Sequence, residues 1–248
     1  MAEKKELKKV DSQQLAMVWT PGEGFEDFSE EERAYPRIAI AQGLSSAVAS
    51  GKVKLGHWYN TLTEDDLGEE LTFAVIKAFH QRIYLSQEEG LVCRSLDSKV
   101  SVDGMPCATC PHSKWSEEKD AKGTSRRMPP ACALVYSYVI VLKQGDGVDP
   151  VPYLLSLMRT GARAGRKLNQ ALQYLVTRGE PIFARWIVAR TKQETKGKNS
   201  YFVPEIVLNG KVDEQLLEGF RAMRRAIMNL RVDVDVNQEE IADTQEPF

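Results

Sequence analysis

The stretch Leu71-Thr72-Phe73-Ala74-Val75-Ile76-Lys77-Ala78-Phe79-His80-Gln81-Arg82-Ile83-Tyr84-Leu85 reads as the first long β-strand of the chain. Side chains alternate across a strand, so Leu71, Phe73, Val75, Phe79, Ile83 and Leu85 would share one face. Thr72, Ala74, Ile76, His80, Arg82 and Tyr84 would form a second, mixed face. Lys77 and Gln81 fall on the apolar side, which predicts a bulge or a break into two strands.

Working outward, Tyr35-Pro36-Arg37-Ile38 marks the entry to the folded body, and Ala133 to Lys143 is a second strand rich in Val, Ile and Tyr. Gly145-Asp146-Gly147 supplies a turn, and Val151 to Met158 a third strand. From Arg159 to Val176 the period becomes helical, with Ala164, Leu168, Ala171, Leu172 and Leu175 on one side and Arg159, Arg163, Arg166 and Gln170 on another. Ile182 to Thr191 and Tyr201 to Leu208 are two more strands, joined by a polar, basic loop from Lys192 to Ser200. A last helix runs from Asp213 to about Leu230.

The order strand, insertion, strand, strand, helix, strand, strand predicts a β-rich α+β protein. Its core would be an OB-fold, the five-stranded Greek-key barrel that binds oligonucleotides or oligosaccharides, with a zinc-binding insertion between its first two strands and flanking helices. The expected divisions are a charged N-terminal arm (1–34), the barrel (35–212, including the insertion 93–132), a C-terminal helix (213–231) and an acidic tail (232–248).

The chain has 248 residues, 42% of them hydrophobic, enough for a substantial core. It has no apolar run of membrane-spanning length, and Met1 to Lys9 is too rich in Lys and Glu for a signal peptide. No membrane association and a cytoplasmic location are therefore expected. In that reducing compartment the four cysteines favour a metal over disulfides.

Cys107-Ala108-Thr109-Cys110 has the two-residue gap that lets two thiolates of one turn reach a tetrahedral ion, and Pro106 and Pro111 restrict the backbone around it. Cys93 and Cys132, at the ends of flanking strands, would complete a four-sulfur shell for one structural Zn2+, with His112 as the rival fourth ligand. Buried free thiols are the bland alternative. Such a shell leaves no open position for catalysis. The three histidines, His57, His80 and His112, adjoin no nucleophile motif, and neither a phosphate loop nor a dinucleotide fingerprint occurs. No catalytic residue is assigned, and the chain is read as a non-enzyme.

The net charge of −2 conceals a steep gradient. Residues 159–198 hold ten bases against two acids, whereas 232–248 hold six acids and no base. Single-stranded nucleic acid is gripped by cations along the phosphates and by aromatic rings under the bases. Residues that combine these features are Lys54, Trp58 and Tyr59; Arg82 and Tyr84; Arg94, Lys114 and Trp115; Arg126 and Arg127; Tyr136 and Tyr138; Arg159 and Arg163; and Lys192, Lys196, Lys198 and Tyr201. Taken singly, Trp58, Tyr136 and Tyr138 are read first as core, and so is Trp186.

The chain ends Gln245-Glu246-Pro247-Phe248 after its acidic run. This end resembles the C-termini of bacterial single-stranded DNA-binding proteins and of the T7-type phage protein. The resemblance implies a docking peptide, Glu246, Pro247 and Phe248, for replication and recombination proteins. The cysteine insertion, with Cys-x-x-Cys-Pro-His followed by Trp115, resembles zinc-containing single-stranded DNA-binding proteins of tailed phages, including the T4-type helix-destabilising protein. It implies Cys93, Cys107, Cys110 and Cys132 as metal ligands. The expected function is sequence-independent coating of single-stranded DNA in phage replication, recombination or repair. The alternatives are a zinc-bearing nuclease or primase accessory, and a zinc-ribbon regulator of duplex DNA. Nothing in the sequence sets an oligomeric state.

Overall fold

The strand expected at 71–85 is the longest of the sheet, running from Glu70 to Ser86. The computed structural model describes residues 35–86, 88–119, 125–197 and 199–228. The charged arm and the acidic tail, with Glu246, Pro247 and Phe248, lie outside these described residues, as does Lys198.

The described elements, in chain order, are β1 (Arg37–Ile40), the one-turn helix α1 (Ser46–Ala49), β2 (Trp58–Asn60), β3 (Asp66–Gly68), β4 (Glu70–Ser86) and β5 (Gly90–Ser95). There follow β6 (Ser116–Lys119), β7 (Ser125–Met128), β8 (Cys132–Gln144), β9 (Gly147–Leu157), α2 (Ala162–Thr177), β10 (Arg185–Lys196), β11 (Asn199–Lys211) and α3 (Glu214–Ile227). The architecture is β-rich α+β: one nine-stranded mixed sheet of order β11-β10-β4-β8-β9-β1-β2-β3, with β5 also on β4, plus the small β6–β7 sheet. Every pairing is antiparallel except β1 with β9. The five expected strands are β4, β8, β9, β10 and β11. The short β1, β2, β3 and β5 extend the sheet beyond them.

Both faces of the sheet are packed. On one, Phe73, Val75, Tyr138, Ile140, Leu155, Ile187 and Ile206 close against Ala164, Leu168 and Leu172 of α2. On the other, Ala74, Ile76, Val139, Val141 and Trp186 close against Phe220, Met223 and Ile227 of α3. A shift in the β4–β8 register between Val75 and Lys77 marks the expected bulge. The shift changes which side each later residue faces, since the side-chain period is two. Leu71, Phe73 and Val75 therefore join the α2 core, while Phe79, Ile83 and Leu85 join the α3 core. The single apolar face read from the sequence is thus divided between two cores, and Ala74 and Ile76 of the mixed face are fully buried.

The bulge also anchors α3. Arg224 Nη1 donates to the Ile76 carbonyl at 2.8 Å. Lys77 Nζ donates to the carbonyls of Ile227 and Met228, each at 3.0 Å, satisfying the end of the helix where its dipole is negative.

The loop expected from Lys192 to Ser200 is instead mostly strand. β10 and β11 stay paired out to Lys196 and Asn199, and Gly197 turns the chain at φ +63°. The free side of β11 meets the segment between β1 and β2. The Gln42 side chain pairs there as a strand would, accepting from Phe202 N at 2.9 Å and donating to Phe202 O at 2.8 Å.

Candidate metal and nucleic-acid site

Tyr84 of β4 is the register partner of Cys93 on β5 and of Cys132 on β8. Paired residues share a sheet face, so the two cysteines flank Tyr84 on one side of the sheet. The other two lie in a turn tied by Cys110 N–H to the Cys107 carbonyl, 3.3 Å. Ser113 Oγ bonds the carbonyls of Cys107 (2.7 Å) and Cys110 (2.8 Å), which holds this knuckle closed.

All four cysteines, with Tyr84, His112 and Asp103, line one cavity of about 220 Å³. The thiols are free of disulfides. Burial pushes the Cys132 thiol up to about 11, against the opposing pull of Arg82. Burial also raises Cys93, with Asp103 adding to it. No three His, Cys, Asp or Glu side chains among the described residues converge on one point as they stand. A shared cavity without a finished cage fits an ion only if the walls draw in. The donor set suits zinc, since four thiols with a two-residue knuckle satisfy its preference for sulfur and four-coordination.

His112, weighed as a rival ligand, has a different contact. Its ring stacks on Tyr84, centroids 4.6 Å apart and planes 23° from parallel. Three residues on, Trp115 is 56% exposed with the Arg127 guanidinium 4.9 Å from its ring centre. Arg82 Nη1 reaches the Cys132 carbonyl at 3.3 Å, Arg94 lines the cavity, and Lys114 is exposed. Arg82, Tyr84 and Arg94 thus line the cysteine cavity, while Lys114 and Trp115 follow the knuckle in sequence and Arg127 lies over the Trp115 ring. Arg126 lies beside Arg127 on β7.

Other aromatic candidates are buried, as the sequence already favoured for Trp58, Tyr136 and Tyr138; for Tyr59 burial corrects the expectation. Trp58 (1% exposed), Tyr59 (4%), Tyr136 (8%) and Tyr138 (fully buried) present no ring to a base. Trp58 and Tyr138 fill the α2-side core, and Tyr59 packs with Ala41, Ala47 and Val53. Tyr136 lies against Gly165, where an added Cβ would come within 2.6 Å of its ring. The Tyr138 hydroxyl shares its one proton between the Gly165 carbonyl (2.9 Å) and Asn169 Oδ1 (2.8 Å), and the Asn169 amide meets His80 Nε2 at 2.9 Å. That network joins residues far apart in sequence, and no local pattern announced it.

The remaining cations are dispersed. Lys54 is exposed near β3, its N–H on Asp66 at 3.2 Å. Arg163 is exposed on α2, and Arg159 precedes it in a 3-10 turn at φ +49°. Lys192 pairs with Glu205 at 3.4 Å, and Tyr201 is half-buried on β11 opposite Glu194. Lys196 ends β10. β10 pairs with β4 only from Phe73 back to Glu70 and then runs past its start, whereas the cysteine insertion leaves the other end of β4. The basic hairpin and the insertion therefore stand at opposite ends of that strand.

Fold and site define the class: a β-rich α+β protein whose long central hairpin carries a cysteine-lined insertion. A family model described as Pam3 phage gp34-like protein matches residues 4–232, and the chain belongs to that phage family. No curated protein matches it. No solved structure matches it either. Among the described residues no helix is long and apolar enough to cross a membrane.

Proposed function

We propose that this phage-family protein binds single-stranded DNA without sequence preference and performs no chemistry. It would act in phage replication, recombination or repair within the host cytoplasm. The observation that carries the reading is the strand order. β4, β8 and β9 form a meander, α2 follows, and β10 returns to the far side of β4, the 4-1-2-3 order of a Greek key, with β11 beyond it. This supports an OB-fold at the centre of the larger sheet, a scaffold suited to single strands. Cys107, Cys110, Cys93 and Cys132 would hold one structural zinc. Bound there, the ion supplies a crosslink between the two strand ends and the insertion, a segment too polar to make a core of its own. The acidic end, with Glu246, Pro247 and Phe248, would recruit replication or recombination proteins.

The test is fluorescence anisotropy with labelled oligo-dT, a mixed single strand and a duplex of equal length, at two salt concentrations. The full chain and a chain ending at Leu230 are compared. Tight, salt-sensitive, sequence-tolerant binding of both single strands, kept or strengthened without the tail, is the expected result. Duplex binding as tight as or tighter than single-strand binding, or no binding at low salt, rejects it in favour of a duplex regulator or a nuclease.

A further inference from the structure

The cysteine insertion carries aromatic surface that its own packing does not use. One face of the His112 imidazole rests on Tyr84, so the exposed surface of this ring is its other face and its edges. Trp115 leaves more than half its surface to solvent, with a guanidinium on its ring, and belongs to none of the hydrophobic clusters among the described residues. The Tyr84–His112 stack grows from the central sheet, and the Trp115–Arg127 pair sits at the β6–β7 hairpin.

We propose that His112 and Trp115 form a stacking platform for unpaired nucleobases, and that the insertion, rather than the basic β10–β11 hairpin, makes the principal base contacts. The inference rests on the single-strand reading above and assigns His112 to base stacking instead of metal ligation. Three observations favour it. The His112 ring is stacked on Tyr84, which holds it flat and leaves its second face for a base. The aromatic rings on β2 and β8 that the sequence offered as alternatives are buried. The hairpin cation Lys192 is held by Glu205. Base stacking also requires no large excess of positive charge, and the insertion has only a small one: residues 93–132 hold Arg94, Lys99, Lys114, Lys119, Lys122, Arg126 and Arg127 against five acids.

The test compares His112→Ala, His112→Phe and Trp115→Ala with the wild type, measuring oligo-dT affinity and bound zinc in the full-length protein. His112→Phe keeps a ring and removes any ligand nitrogen. The expected result is a loss of affinity of about 5- to 150-fold in His112→Ala and in Trp115→Ala, near-wild-type affinity in His112→Phe, and unchanged zinc in all three. Zinc lost in both His112 variants would overturn the assignment, because the imidazole would then be a ligand. Affinity within twofold of wild type in both alanine variants would also overturn it, while leaving single-strand binding itself standing. A wild-type protein that fails to bind oligo-dT removes the parent reading and this one together.

Discussion

Gly165 shows how a single residue sets the spacing between helix and sheet. It lies inside α2 where alanine would ordinarily be the better helix former, yet a Cβ there would press into the Tyr136 ring. Gly165→Ala is therefore expected to destabilise the fold by about 1–3 kcal/mol despite its helix propensity, read as a lower urea midpoint with an unchanged slope. A second single-residue case is Asp66. Burial pushes its carboxyl up, but the Gly68 N–H, the His57 ring and the Lys54 N–H outweigh that and hold it below its ordinary value of 3.8. A carboxyl depressed in the folded state stabilises above its unfolded pKa and loses that contribution as pH falls through the folded value. The stability gap between wild type and Asp66→Asn should thus be full above about pH 4 and close on further acidification, as followed by thermal melts across pH. The sequence placed Asp65-Asp66 in a polar turn. It did not pair His57 with Asp66, a contact at 2.8 Å that depends on the β2–β3 hairpin.

At the level of elements, the insertion and the α3 helix make separate predictions. Cys107→Ser or Cys110→Ser should abolish stoichiometric zinc, measured by metal analysis. The segment between β5 and β8 should then be cut early in limited proteolysis while the nine-stranded sheet survives. A chelator should reproduce that pattern in the wild type. Helix α3 is held by Phe220, fully buried against Phe183 and Trp186 with ring centroids 6.3 and 6.2 Å away. Phe220→Ala should cost about 3–5 kcal/mol, a loss visible in chemical denaturation. The cysteine spacing and the helix were both readable in the sequence, because each is a local pattern. The partners of each were not. Lys77 looked like a defect in a strand face and proves to cap the end of α3, 150 residues away along the chain.

On the scale of the whole molecule, the sheet is long, and its β11 edge is closed by a side chain. β11 meets the segment between β1 and β2 through the Gln42 amide, which satisfies both the N–H and the carbonyl of Phe202. Phe202 also packs on Gly56, which has φ +81° and no room for a Cβ. Gln42→Ala would leave these backbone groups without partners. It is expected to lower stability by about 1–3 kcal/mol and to raise hydrogen exchange along the β10–β11 hairpin, as mass spectrometry would report. A glutamine in a turn gives no sign that it completes a strand edge. The contact spans 160 residues and exists only once the sheet has curved.

The sequence alone determined the five long strands, the helix between the third and fourth, the C-terminal helix, the turn at 145–147, the bulge in β4 and the two-residue cysteine knuckle. Each is written in periodicity or spacing over a few neighbouring residues. Only the tertiary structure decided what covers Tyr136 and Tyr138, because their strand face lies under α2 rather than under solvent. It alone put Tyr84 between Cys93 and Cys132, stacked His112 on that tyrosine, and separated the basic hairpin from the insertion. Register, curvature and the choice of covered face arise from pairing between distant segments, and no local pattern encodes which segment a strand will meet.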